Sequence, residues 1–370
     1  MSQGLSPKVP HHRLITPKRT TPKKPLSQKG EQSKMPKIVA IVGATGTQGG
    51  AVISALEGNP SFQIRALTRN TNSEKAKDLA SRGIEVVAAD LNDESSLVKA
   101  FADVSIIYAV TNFFEPFATV GPEAAMEIEY QQGVNLAQAA SQTPSLELYI
   151  WSTLPDSRTL SSGAVVVPHF AAKARVDEFI KQDQVLLSKT VFLWVTFYTS
   201  NLFYPPFAPV YANSIGKFVA FTPVSAQTRI ASLGAMSNVG TAVAGLVEND
   251  GQTLWTSKLG ASSSGAKYVI VTTTSYTVQD YYSAWAKAIG KGEDQVKVLP
   301  ISFADYEALF AEWGTELGLM MRFWEVAGPE KSWATVGQTD TLIDSRELLG
   351  PCKTLVETEE AFAQVSWDNI

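Results

Sequence analysis

Short, mostly apolar runs at 38–42, 63–67, 85–89, 104–110 and 146–151 alternate with stretches whose apolar positions follow helical spacing, as at 51–56 and 95–101. Runs this short fit strands covered on both faces, and their alternation with helices predicts a parallel sheet built from crossover units. A further apolar run spans 190–197. Beyond it the pattern loosens into proline- and aromatic-rich segments at 205–209 and 218–223. A helix at 239–248, a strand at 268–271, a helix at 278–289, a strand at 296–299 and helices within 303–327 are expected to follow.

The first strand passes directly into Gly43-Ala44-Thr45-Gly46-Thr47-Gln48-Gly49-Gly50 and then into a helix. Glycines at 43, 46 and 49 suit a tight strand-to-helix turn. They let backbone N–H groups approach a pyrophosphate and let the helix pack close to its strand. Gly43, Thr45, Gly46, Thr47, Gln48 and Gly49 are therefore candidate dinucleotide ligands, with the phosphates at the helix N-terminus. The second strand ends at Thr68-Arg69-Asn70, where an NAD site usually places an acid. A guanidinium there suits a ribose 2′-phosphate, which favours NADP(H); the alternative is a solvated surface arginine. After the third strand, Asp90 and Leu91 fall where adenine would lie, although Asp90 can equally cap the next helix. Thr111 and Asn112 after the fourth strand, and Ser152 and Thr153 after the fifth, reach the same rim. The expected fold class is α/β, a Rossmann-type doubly wound parallel sheet with a smaller mixed α/β C-terminal lobe.

Composition narrows the field. With 370 residues, 45% hydrophobic content and no apolar run of transmembrane length, the chain can bury a large core, and a cytoplasmic or nuclear location is expected. One cysteine, Cys352, allows no internal disulfide framework. The three histidines are His11, His12 and His169, which leaves no histidine cluster for a metal in the body. Residues 1–34 hold five prolines and eight basic residues against Glu31 alone, and read as a disordered basic tail. Its segment 16–24 can be read as a nuclear signal or as a solvated stretch. Without that tail the body is strongly acidic, which argues against direct nucleic-acid binding by it. The expected division is a tail at 1–34, a dinucleotide-binding domain at 35–197 with part of 224–275 returning to it, and a substrate or partner lobe at 198–370.

The glycine turn, Thr68-Arg69-Asn70, the run Val110-Thr111-Asn112-Phe113-Phe114-Glu115 and Pro168-His169-Phe170-Ala171-Ala172-Lys173 together resemble the NmrA-like family, atypical members of the short-chain dehydrogenase/reductase superfamily. The resemblance covers about residues 36–327 and is nearest the branch of NADP(H) redox sensors. Short-chain reductases carry a tyrosine four residues before a lysine on one helical face. The resemblance aligns His169 and Lys173 with that pair, so the lysine is kept and the tyrosine is not. It implies Lys173 as a cofactor ligand, or else a solvated lysine on the helix face. His169 is either a general acid or a structural group. Ser152 or Thr153 stands at the place of the superfamily's serine. Tyr149, Tyr198 and Tyr204 are substitute acids, Phe113 and Phe114 can flank a nicotinamide, and Phe197, Tyr198, Phe203 and Tyr204 can enclose a substrate. Two functions fit: an NADPH-dependent oxidoreductase acting on a small organic carbonyl or imine, and a non-catalytic NADP(H) sensor that binds a regulatory partner protein.

Overall fold

A computed structural model describes residues 35–248, 265–338, 341–350 and 353–367. The basic tail with His11 and His12, and Cys352, lie outside the described residues. Five strand–helix units come first: β1 (Lys37–Ile41) with α1 (Thr47–Leu56), β2 (Phe62–Thr68) with α2 (Glu74–Ser81), β3 (Glu85–Ala88) with α3 (Glu94–Ala100), β4 (Ile106–Ala109) with α4 (Phe114–Ser141), and β5 (Leu148–Thr153) with α5 (Pro168–Gln182). Strand β6 (Thr190–Val195) leads to β7 (Phe197–Tyr198), β8 (Val210–Ala212), β9 (Lys217–Thr222), β10 (Arg229–Gly234) and α6 (Ser237–Glu248). The remainder supplies β11 (Lys267–Val271), β12 (Ser275–Thr277), α7 (Val278–Ala288), β13 (Val296–Pro300), α8 (Phe303–Lys331) and β14 (Thr341–Asp344).

Among the described residues the main sheet has eight strands in the order β14-β11-β6-β5-β4-β1-β2-β3, and all its pairs are parallel. The fold is therefore α/β and doubly wound. Every residue of β4 and β6 is buried, as expected of a sheet with helices on both faces. From β1 the chain winds outward through β2 and β3, then returns to β4 on the other side of β1. The order reverses at that point, and a crevice opens beyond the carboxyl ends of β1 and β4. Two three-stranded sheets, β12-β10-β7 and β13-β9-β8, build the smaller lobe with α7 and α8 around their own apolar core.

The segment after residue 198, expected to form the lobe with part of 224–275 rejoining the first domain, meets the main sheet twice. Strand β11 pairs with β6, and β14 pairs with β11 at the edge. Helix α6 packs on α1, so closely that a Cβ on Gly240 would stand 2.1 Å from the Ala51 carbonyl oxygen. Helix α4 is in fact two segments, broken where Gly121 adopts φ 79° ahead of Pro122, which has no N–H to continue the helix. The short first segment carries Phe114, Glu115 and Phe117 over the crevice. The long second segment lies along α5, where Gly133 leaves room for Val176.

The contact between α1 and α6 is backbone against backbone and cannot relax by a rotamer change. Gly240→Ala is expected to lower stability by roughly 1–3 kcal/mol or more, read as a lower denaturation midpoint, while an alanine at the open position Gly58, whose backbone has φ 79°, should act only through local strain.

Candidate functional site

One cleft of about 980 Å³ runs along the crevice and into the lobe. Its wall includes Gly43, Thr45, Gly46, Thr47, Gln48, Gly49, Arg69, Asp90, Leu91, Thr111, Asn112, Ser152, His169 and Lys173. Residues far apart in sequence meet here because each follows a strand of one parallel sheet and so emerges at the same edge.

The glycine turn is built as its spacing suggests. Gly43 has φ 64°, and a Cβ on Gly49 would lie 2.3 Å from the Gly43 carbonyl oxygen, so the helix could not start this close to its strand with a side chain there. A Cβ on Gly46 would sit 3.1 Å from the same oxygen. Gly46 is the N-cap of α1, with no side-chain cap and no acid in the first turn. The N–H groups of that turn have no intrahelical acceptor, so an uncapped helix end with no acid in its first turn borders the cleft. A dinucleotide pyrophosphate fits this cradle.

Arg69 stands at the rim, exposed, with its guanidinium 2.7 Å from Glu115 on the first segment of α4. Lys75 reaches the Thr45 carbonyl oxygen from the start of α2 at 3.1 Å, a second cation beside the turn that sequence reasoning passed over. Asp90 is exposed and accepts from the backbone and side-chain N–H groups of Asn92. It does not cap α3; Asp93 does, accepting from Ser95 and Ser96. The Leu91 carbonyl oxygen is held by Asn135 at 2.8 Å.

At the centre, Gln48 joins both halves of the molecule. Its Oε1 accepts from Ser152 Oγ at 2.8 Å and from Tyr108 OH at 2.5 Å, and its Nε2 donates to Tyr198 OH at 2.6 Å. Burial raises the Tyr108 phenol and pushes Tyr198 up to about 12, the latter partly offset by the Gln48 hydrogen bond. Thr153 turns the other way and donates to Asp177 at 2.6 Å, so Ser152 is the hydroxyl directed to this network.

Helix α5 begins at Pro168, whose fixed φ suits a first helical position. It presents His169, Lys173 and Asp177, four residues apart and all buried, to three different partners. Lys173 is not solvated: its Nζ lies 2.9 Å from Glu129 Oε1, 2.8 Å from Thr111 Oγ1 and 3.3 Å from the Thr111 carbonyl oxygen. Glu129 is fully buried on α4. Lys173→Ala would strand that carboxylate, so lost cofactor affinity in such a variant would not alone demonstrate contact. His169 Nδ1 lies 2.5 Å from Glu316 Oε1 of α8, and the histidine ring borders the cleft.

Glu129 and Glu316 are the residues that sequence reasoning missed. Each left a signal, an acid set in an otherwise small or apolar helical stripe: Ala125, Glu129, Gly133 and Leu136 on α4, and Trp313, Glu316, Leu317 and Met320 on α8. The lobe end of the cleft is aromatic. Phe114 stacks on Trp313 at 5.6 Å, and Phe197, Tyr198, Tyr204 and Trp324 continue the wall. Phe113 also borders the cleft, packed on Phe117. Two expected residues fall elsewhere. Phe203 stacks on Trp367 at 4.5 Å away from the cleft wall, and Tyr149 is enclosed in the core against the helix layer.

The sheet order, the glycine turn and the crevice at the reversal define a doubly wound fold of the dinucleotide-binding kind. The NmrA-like family model matches residues 35–327, and the chain belongs to that family. An NmrA-like family domain-containing oxidoreductase of Aspergillus hancockii is 30% identical over 178 residues, 48% of this chain and 51% of its own length. The chain thus spans about half the length of the curated relatives it matches. The crystal structure of NmrA, a negative transcriptional regulator in complex with NAD, superposes with a TM-score of 0.65 at 19% identity, covering 90% of this chain and 96% of that one. The Citrobacter sp. triphenylmethane reductase complexed with NADP(H) gives 0.59 at 20% identity, covering 89% and 99%. Among the described residues no helix is long and apolar enough to cross a membrane, and no group of three acidic, histidine or cysteine side chains could hold a metal ion.

Asp177, which does not line the cleft, gives the protein a pH signature. Burial pushes its carboxyl up to about 7, against hydrogen bonds from Thr153, Trp151 and Tyr268 and the charge of Lys181. The folded protein therefore holds this proton more tightly than the unfolded chain. Its contribution to stability is full below the ordinary aspartate range near pH 4 and is lost as pH rises towards 7. Asp177→Asn should remove a pH-dependent loss on the order of 4 kcal/mol, seen as a flatter stability profile between about pH 4 and 7 in denaturant titrations.

Proposed function

We propose that the protein is an NADP(H)-dependent oxidoreductase that reduces a small organic carbonyl or imine compound. The observation that carries this reading is a continuous cleft with an anion-ready glycine turn and Arg69 at one end and an aromatic enclosure at the other, with His169 bordering it. The turn and the N-terminus of α1 would hold the pyrophosphate, Arg69 and Lys75 the ribose 2′-phosphate, and Asp90 with Leu91 would border the adenine. Ser152, Thr111 and Asn112 flank the nicotinamide end. When bound, NADPH supplies a hydride. The chain's own work is to orient the substrate between Phe114, Trp313 and Tyr198, to exclude water with the aromatic wall, and to deliver a proton from His169 as general acid.

A second reading, a regulatory sensor whose NADP(H) occupancy governs a partner protein, is favoured by Lys173. Its contacts are taken up by Glu129 and Thr111, and histidine stands where reductases of this type carry tyrosine. The readings separate on a panel of quinones, aldehydes, ketones and imines: NADPH oxidation with any of them supports the enzyme, and none with all of them supports the sensor.

Two variants test the assignments. Arg69→Ala should erase most of a preference for NADP(H) over NAD(H) of about tenfold or more, since a charge-assisted contact contributes ~1.5–3 kcal/mol; equal affinities in the unmutated protein by calorimetry would refute the role of Arg69. His169→Gln, chosen because an apolar ring would leave Glu316 unpaired, should lower kcat by about a hundredfold with NADPH affinity little changed. Undiminished turnover would remove His169 as the acid and point to Tyr198.

A further inference from the structure

Helix α8 is interrupted at Ala311, whose φ of 50° is a conformation that a residue with a side chain keeps only when its surroundings hold it there. The helix restarts so that Trp313, Glu316, Leu317 and Met320 share one face. Trp313, Leu317 and Met320 border the cleft. Glu316 does not; it sits behind His169, with its side chain 1% exposed. A carboxylate at such depth needs partners. Its Oε1 lies 2.5 Å from His169 Nδ1 and accepts the His169 backbone N–H at 3.2 Å, while Oε2 has no hydrogen-bond partner among the described residues. Phe113, Phe114 and Phe170 pack around the imidazole with centroids 5.8, 5.1 and 4.8 Å away, which restricts rotation of the ring.

We infer that Glu316 is a positioning residue that keeps hydrogen on His169 Nδ1 and thereby reserves Nε2 for proton exchange with a substrate in the cleft. The same carboxylate fixes both the backbone at the helix start and the ring, so the orientation of the acid is set by the lobe although the histidine belongs to α5. A hydrogen bond at one imidazole nitrogen determines which tautomer the other nitrogen presents. With hydride from a reduced nicotinamide cofactor, a carbonyl carbon gains its C–H bond, the π pair moves to oxygen, and that oxygen takes the proton from Nε2. His169 is left neutral with hydrogen on Nδ1 facing Glu316, and solvent returns the proton to Nε2. The proton-transfer part rests on the reductase reading; the tautomer does not.

The chain has three histidines, so histidine-selective ¹⁵N labelling of the full protein gives few ring signals, and His169→Gln identifies the one of interest. The unmutated protein should show a far-downfield ring proton coupled to Nδ1. It should vanish in Glu316→Gln and persist, displaced, in Glu316→Asp. With the most active compound of the panel, Glu316→Gln should lower kcat by about tenfold or more, with the NADPH dissociation constant within about twofold, and aspartate should recover part of the loss. The inference is overturned if the downfield proton is absent from the unmutated protein, if it survives unchanged in Glu316→Gln, or if kcat does not fall. Should the glutamine variant not fold, the aspartate variant decides: a displaced resonance with reduced kcat upholds the inference, and no change in either overturns it. If no compound is turned over, the reductase reading fails, and the resonance alone judges the positioning.

Discussion

Three ionisable side chains on one buried face of α5 need compensation, and meeting that need ties the molecule together. His169 finds Glu316 of α8, Lys173 finds Glu129 of α4, and Asp177 finds Trp151 and Thr153 of β5 and Tyr268 of β11. Lobe, helix layer and sheet are thereby fixed to the same helix. A buried polar or charged group without its partner is strongly unfavourable, so these contacts set the positions of their partner elements. The cleft is the space left in front of this arrangement, and its polar groups are those whose partners hold them still.

The polar centre follows the same logic on a smaller scale. Gln48 is the second residue of the first helix, yet its amide accepts from β4 and β5 and donates to β7. The glycine turn therefore does more than admit a phosphate. By bringing α1 close to its strand it sets the depth at which Gln48 meets Tyr108, Ser152 and Tyr198. Fold alone does not decide between chemistry and sensing, because both need a cofactor cradle. They differ at the lobe end, where an aromatic enclosure beside a held imidazole has a use in catalysis that a pure sensor would not require.

Much of this was legible in the sequence because the signals were local. Five strand–helix units, the glycine turn and the basic residue after β2 each reside within a few neighbouring positions, where period and residue type are informative. Lys173 and His169 were legible through the resemblance to short-chain reductases, which aligns them with that superfamily's tyrosine–lysine pair. What was hidden depended on partners distant in the chain. Glu129 and Glu316 read as ordinary helix acids until packing turned them inward. Strand β14 has four residues after a long helix, too few for a period to declare itself, and it is a strand because β11 offers an open edge. Phe203 and Tyr149 show the converse error: aromatic character marks burial well, but which surface covers a ring is settled only by tertiary contacts.

The ion pair at the rim has a mechanical consequence. Arg69 is engaged by Glu115, and Glu115 rides on the short first segment of α4, which meets the rest of its helix at the Gly121–Pro122 break. An anion that draws Arg69 to itself competes with Glu115 for the guanidinium. The same short segment carries Phe114, stacked on Trp313, and Phe117, set edge-on to it, at the far end of the cleft. One short segment thus carries both the partner of the rim cation and the rings that pack on Trp313 at the far end of the cleft.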